Sequence, residues 1–349
     1  HSAEQMSRQQ LYGGLAGLGA AVFEAGALAQ GLLGTGLNVL FLQYSRDDER
    51  QADRLGMRYL MAHDYDPSEA VDVFQMLDRQ SEAAGGSGLP GWLSTHPTPE
   101  DRIERIRAIL DTLPEGRRGG TVGRKRYLQR IDGLVYGPNP RNGFFRDGTF
   151  LHPDLAFRLD FPDDWKRQNL ARAVVAQSPG GDAILQLTLA EADSHGAAAR
   201  AFFGQEGVRG TSGVGTTRIH GLPATIGVFV ASTDQGEVQG RATFLQHGDR
   251  VYQMLGYTAR ADYGAWERTF RESHESFRRL EDREALDVQP MRIRVITTDR
   301  AGTMAQLLQR RPAPVDASTL ALLNAVEEGE RVPAGTILKW VEGEKPPGR

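Results

Sequence analysis

The sequence predicts an α+β protein of several domains, and three observations carry that prediction. Apolar residues recur at helical spacing through residues 46–80 and again through 99–113. Between 157 and 255 they alternate instead, as half-buried strands do, with helical segments among them. Residues 293–341 then read strand, helix, helix, strand. At 349 residues the chain is long enough for two or three domains, each with its own core.

In chain order, residues 11–43 are apolar and small, running from Leu11-Tyr-Gly-Gly-Leu-Ala-Gly17 to Gly31-Leu-Leu-Gly34. Gly13 and Gly17 make a small-x-x-x-small step, and the run is nominally long enough to cross a bilayer. Glu24 and Gln30 interrupt it and glycine lowers helix propensity, so a buried or groove-lining element is expected ahead of a membrane-apposed hairpin or a span.

Residues 46–80 read as two helices. Leu55, Tyr59 and Leu60 stripe the first, the Asp64-Tyr-Asp-Pro67 turn breaks it, and Val71, Phe74, Met76 and Leu77 stripe the second. A glycine-rich loop, Ser81-Glu-Ala-Ala-Gly-Gly-Ser-Gly88, then leads to His96. Pro97 holds His96 extended at the mouth of a helix from Pro99 to Leu113, which Thr95 or Thr98 could cap.

From Pro114 to Pro153 the composition shifts. Arg117-Arg-Gly-Gly-Thr-Val-Gly-Arg-Lys-Arg126 is basic and glycine-rich; in isolation it suggests an anion patch, but its shortness and position favour a solvated linker. Gly133-Leu-Val-Tyr-Gly137 and Asn142-Gly-Phe-Phe-Arg-Asp-Gly148 continue it as a strand-and-turn connection.

A second domain is expected over 154–288. Phe157-Arg-Leu-Asp-Phe161, Ile184-Leu-Gln-Leu-Thr-Leu189, Arg241-Ala-Thr-Phe-Leu-Gln246 and Val251-Tyr-Gln-Met-Leu255 alternate as strands, the last two joined by the His247-Gly-Asp-Arg250 turn. Ala197–Phe203 and Ala265–Phe277 have helical spacing, with Trp266, Phe270 and Phe277 on one side. His152, His195, His220, His247 and His274 are scattered through turns and helix faces and read as ordinary surface. The third segment, 289–345, reads Ile293–Thr297 strand, Met304–Leu308 helix, Leu320–Asn324 helix, Ile337–Val341 strand.

The chemistry concentrates in Tyr44-Ser-Arg-Asp-Asp-Glu-Arg-Gln-Ala-Asp-Arg-Leu-Gly56, where Glu49 and Asp53 stand four residues apart and so project from one helix face. In zinc hydrolases with two histidines and a glutamate as ligands, one helical carboxylate binds the metal. A neighbouring carboxylate holds a ligating histidine by its second ring nitrogen. In that scheme Glu49 is the ligand and Asp53 the orienter. An E-x-x-x-D pair by itself is also what any charged helix face carries.

Four stretches in order, Ser45–Gly56, Asp64-Tyr-Asp-Pro67, Trp92-Leu-Ser-Thr-His-Pro97 and Glu100-Asp-Arg-Ile103, resemble the HtpX, Oma and BepA-like family of zinc metallopeptidases in its periplasmic branch. The resemblance covers residues 1 to about 112, and Phe150-Leu-His-Pro153 extends it into the linker of longer members. It implies a helical zincin-type part over 1–113, Zn2+ as cofactor, Glu49 as third protein ligand and Asp53 behind a ligating histidine. It further implies that the loop places His96 over the metal as a displaceable ligand or against substrate; the competing reading of the residues leaves His96 an incidental surface group beside the capped helix. Arg102 matches the arginine of H-P-x-x-x-x-R, with two open roles: stabilising an oxyanion, or bracing the core by pairing with Asp53 or Glu49.

The departure is that no H-E-x-x-H, source of the first two ligands and the general base, occurs in the 349 residues. His1-Ser-Ala-Glu-Gln-Met-Ser resembles the stretch a few residues past that motif, so the chain is expected to begin just downstream of the catalytic helix and to be inactive alone. Phe161-Pro-Asp-Asp-Trp165 resembles the opening of PsbP-like and Mog-like domains. Gly302-Thr-Met304, Leu323-Asn324 and Val332-Pro-Ala-Gly-Thr-Ile-Leu-Lys339 resemble a LysM-like module, which implies either glycan docking or a packing domain.

Composition narrows the partners. A net charge of −4 argues against a general nucleic-acid binder, and the absence of cysteine excludes disulfides and thiolate metal sites. The expectation is a cell-envelope or periplasmic metalloendopeptidase. Its partners are unfolded or misassembled envelope proteins, with peptidoglycan and the membrane surface as further contacts. The alternative is a non-catalytic envelope scaffold.

Overall fold

Residues 46–83, 99–114, 119–233, 236–327 and 329–345 are described in the computed structural model of the chain. The apolar stretch 11–43 and His96 lie outside them. Three helices come first: α1 (Arg46–Ala62), α2 (Glu69–Ala83) and α3 (Pro99–Thr112). Met57, Phe74 and Ile106 are the buried centre, with Leu60, Met61, Val71, Ile103 and Leu110 packed against them. Burying each of the three central side chains stabilises the fold by about 1.5–3 kcal/mol.

The inward stripe of α1 is therefore Asp53, Met57, Leu60 and Met61, not Leu55 and Tyr59; Tyr59 is 62% exposed. Two residues of helix turn a side chain about 200° from its neighbour, so burying Met57 sends Tyr59 outward. The break after α1 is a turn in which Asp64 takes a positive φ of 57° and the Asp66 carboxylate accepts from the amide of Ser68 at 2.9 Å and its hydroxyl at 2.6 Å.

The described residues divide into two compact units, one of 46–139 with 289–345 and the other of 140–288. Of the stretch 114–153, expected as a linker, residues 119–139 belong to the first unit and 140–153 to the second. Thr121 donates to the carbonyl of Asp64 at 2.8 Å, and a Cβ on Gly120 would lie 2.8 Å from that same oxygen, so only glycine lets the strands approach. A short helix follows, α4 (Arg124–Ile131), which buries Leu128 beneath an otherwise basic sequence. Residues 140–152 join the second unit.

That unit holds two antiparallel sheets. The smaller has the order β1-β2-β3-β11, from β1 (Phe144–Arg146), β2 (Thr149–His152), β3 (Phe157–Asp160) and β11 (Arg278–Arg279). The larger comprises β4 (Lys166–Asn169), β5 (Ala173–Gln177), β6 (Ala183–Ala190), β7 (Val208–Ile219), β8 (Leu222–Thr233), β9 (Gly236–His247) and β10 (Arg250–Ala259). Its order is β4-β5-β6-β10-β9-β8-β7.

Alternation along β6, β9 and β10 sends residues to two cores. Leu185, Leu187, Leu245, Tyr252 and Met254 meet Phe270 of α6 (Tyr263–Glu275) and Phe277 just after it, while Ile184, Phe244 and Leu255 meet Phe202 of α5 (His195–Phe203). Gly256 lets α6 settle onto β10, since a Cβ there would stand 2.5 Å from the Phe270 ring. A one-turn helix, α7 (Arg283–Asp287), closes the unit.

His274 corrects the surface expectation for the histidines. It is 1% exposed and its Nδ1 lies 2.9 Å from the Thr243 hydroxyl. The stripe of α6 runs Trp266, Phe270, His274 at four-residue steps, so the face that buries the aromatics buries the imidazole too. Burial and the charge of Arg241 lower its pKa to about 3, and burial lowers that of His152 to about 4.

The chain then completes the first unit with β12 (Arg292–Thr297), α8 (Met304–Arg310), α9 (Ala317–Asn324) and β13 (Ile337–Glu342). The order strand, helix, helix, strand is the one the sequence predicts, and β12 pairs antiparallel with β13. Thr303 and Gln306 form a capping box on α8, and Asp316 caps α9 by accepting from the Thr319 amide at 2.8 Å.

Trp340, Leu338, Leu320 and Ile293 centre its core, with Ile131 and Tyr136 from the far earlier segment packed in. Backbone bonds bind that segment to β12: Gly133 donates to Ile293, Ile293 to Leu134 and Tyr136 to Met291, each at 2.8 Å. The buried Asn324 amide joins α9 to β13, donating to the Lys339 carbonyl at 2.8 Å and accepting from the Lys339 amide at 2.7 Å.

Two outcomes are expected. Both histidines bind protons in the unfolded chain at a pH where the folded chain does not, so unit 140–288 loses stability as pH falls from 6.5 toward about 4. Urea titrations across that range should show a falling midpoint, with a shallower fall in His274→Gln. Asn324→Leu strands two backbone groups and should destabilise the first unit by about 2 kcal/mol, read as a lowered melting temperature with unit 140–288 unchanged.

Candidate metal centre

Glu49 and Asp53 both lie on α1, four residues apart. The backbone of Glu49 is in the first turn; its side chain lies outside the described residues. Asp53 is held from α3. The Arg102 guanidinium donates through Nη2 to Oδ1 at 2.5 Å and through Nε to Oδ2 at 3.1 Å, a two-pronged pair whose side chains are 17% and 10% exposed for Arg102 and Asp53. The ring of Phe74, on α2, lies beneath the guanidinium, 4.2 Å from its carbon.

Local sequence explains the meeting. Asp53 stands one turn before Met57 and Arg102 one turn before Ile106, so the stripes that build the three-helix core also carry the charged pair to its edge. Phe74 reads in the sequence as one more apolar stripe residue. Its service as a platform for Arg102 has no signal there except that both are helical and inward.

A carboxylate whose two oxygens each receive one guanidinium bond still has lone pairs free to accept from a ring N–H, so Asp53 keeps the capacity to orient a histidine. A zinc centre needs three or four nitrogen, sulfur or oxygen ligands. Among the described residues no group of three histidines, cysteines, aspartates or glutamates could hold a metal ion, so these residues do not by themselves fit one. His96 lies outside the described residues. Among those described, no helix is long and apolar enough to cross a membrane.

The Asp53–Arg102 pair should be tightly coupled. Asp53→Ala or Arg102→Ala, each removing one partner of a largely buried charge pair, should each cost the first unit about 3 kcal/mol, while the double substitution should cost less than their sum. Chemical denaturation of the four proteins measures this, and additive losses would show that the pair is not coupled.

Residues 1–110 match the model of Peptidase family M48. The chain is 33% identical over 116 residues to the mitochondrial metalloendopeptidase OMA1 of Schizosaccharomyces pombe, a match covering 33% of this chain and 32% of that one. The chain thus spans about a third of the length of the curated relative it matches.

Among solved structures, cyanobacterial PsbP from Synechocystis sp. PCC 6803 is 9% identical at a TM-score of 0.31, covering 38% of this chain and 91% of that one. LpqN of Mycobacterium tuberculosis is 14% identical at 0.27, covering 35% and 81%. The Ran-binding protein Mog1p of Saccharomyces cerevisiae is 8% identical at 0.27, covering 36% and 90%. Glu49, Asp53 and Arg102 all lie within residues 1–110, the stretch that matches Peptidase family M48.

Proposed function

We propose that the chain is part of a zinc-dependent metalloendopeptidase of the periplasm or cell envelope, acting on unfolded or misassembled envelope proteins. One observation carries the reading. Glu49 and Asp53 occupy positions one turn apart on α1 inside the stretch that matches peptidase family M48, with Asp53 fixed by Arg102. In this reading Glu49 is a ligand of Zn2+, Asp53 orients a ligating histidine, and His96 is a displaceable further ligand. Arg102 acts by holding Asp53 in place. Bound zinc supplies Lewis acidity and an activated water. Because the 349 residues contain no H-E-x-x-H, the chain alone hydrolyses no peptide bond.

A second reading has its own support. The strand-helix-helix-strand order of 292–342 fits a LysM-like module, and with H-E-x-x-H absent the chain would serve as an envelope scaffold docked on peptidoglycan.

The two separate as follows. The 349-residue chain is expected to purify without stoichiometric zinc and to leave casein intact. The coding sequence upstream of His1 is then read. If it encodes H-E-x-x-H, the longer protein should bind zinc and cleave casein, and Glu49→Ala should abolish both. Retention of zinc by that variant, or a frame without the motif, would remove the peptidase reading, and sedimentation with purified peptidoglycan would then test the scaffold.

A further inference from the structure

Helix α4 breaks the electrostatic rules that stabilise helices. Its N-cap, Gly123, offers no side-chain cap, and its first turn holds Arg124, Lys125 and Arg126 with no acid. Three cations there oppose the helix dipole, whose N-terminal end is already positive. Arg126 and Arg130, four residues apart, repel each other on one face. All four are exposed, and none makes an ion pair among the described residues. The strain extends to β13. Lys339, half-buried, is kept below the ordinary lysine range by burial and by the charge of Arg124.

The underside of the helix is an ordinary anchor, Leu128 buried and Ile131 packed into the Trp340 core. Arg126 and Arg130 stand opposite that anchor, and exposed apolar groups lie in and around the helix. Tyr127, 61% exposed, shares a face with Arg130, and Val122 and Leu134 flank the helix at 51% and 59% exposure. Arg117 and Arg118 precede it in the sequence.

From this juxtaposition we infer that the outer face of α4 docks on the surface of an anionic lipid bilayer. Charge complementarity selects an anionic partner, which relieves both the dipole conflict and the cation repulsion at once. The apolar groups select lipid over nucleic acid: isolated aliphatic side chains and a tyrosine enter the headgroup region, whereas a nucleic-acid track needs stacked aromatics along a groove. Eight residues span only about 12 Å, enough for a surface contact and too short for such a track. The inference stands apart from the peptidase reading, since α4 lies outside residues 1–110.

The test is sedimentation of the full 349-residue chain with vesicles of phosphatidylcholine and phosphatidylglycerol, beside vesicles of phosphatidylcholine alone. The chain should bind the anionic vesicles, release at high salt, and ignore the neutral ones. Replacing the three exposed cations together, Arg124→Gln, Lys125→Gln and Arg126→Gln, should weaken binding about a hundredfold with circular dichroism unchanged. Should the triple variant misfold, Arg130→Gln alone should weaken it about fivefold. No binding, equal binding to neutral vesicles, undiminished binding by the variants, or displacement of the chain from vesicles by a short DNA duplex would each overturn the inference.

Discussion

A carboxylate gripped at both oxygens by one guanidinium fixes how helices α1, α2 and α3 meet. Their apolar core is small, centred on Met57, Phe74 and Ile106, and apolar contacts alone tolerate rotation of a helix about its axis. The Asp53–Arg102 pair does not, because two parallel bonds at 2.5 and 3.1 Å demand one orientation of each plane. The Phe74 ring beneath the guanidinium excludes water from one side and strengthens the pair. Fixing the rotation of α1 at Asp53 also fixes the direction in which the Cα of Glu49, one turn earlier, faces.

Much of this was legible. The Asp64–Pro67 break, the helix beginning at Pro99, the strands of β6, β9 and β10 and the strand-helix-helix-strand order of 292–342 all follow from local pattern. What failed to show depends on distant partners. Whether α1 buries Met57 or Tyr59 is decided by Phe74 and Ile106, since both faces of that helix carry apolar residues at helical spacing. The resemblance offers Arg102, 49 residues away, either as a partner of Asp53 or Glu49 or as an oxyanion stabiliser, and local pattern near the E-x-x-x-D pair does not choose between them.

The same holds elsewhere. His274 reads as polar until the Trp266 stripe is extended one more turn, and the basic composition of α4 hides Leu128 and Ile131 three residues apart. The paired strands β7 and β8 escaped because glycine, serine and threonine crowd Val208–Thr233. There β8 pairs along β9, and β7 pairs in turn along β8.

The chain enters its first unit, leaves it for residues 140–288, and returns at 289. Ile131 and Tyr136 therefore wait for Trp340, and Gly133 for Ile293, across a loop as long as a domain. During synthesis the inserted unit has all its strands out before β12 exists, so the outer unit is the one that finishes last. Closing it costs less entropy once 140–288 has folded and drawn its two ends from a long coil into a compact insert. A defect that slows the inserted unit would then leave the Trp340 core, which draws on both sides of it, open. The interleaved connectivity makes the middle of the chain the timekeeper for its ends.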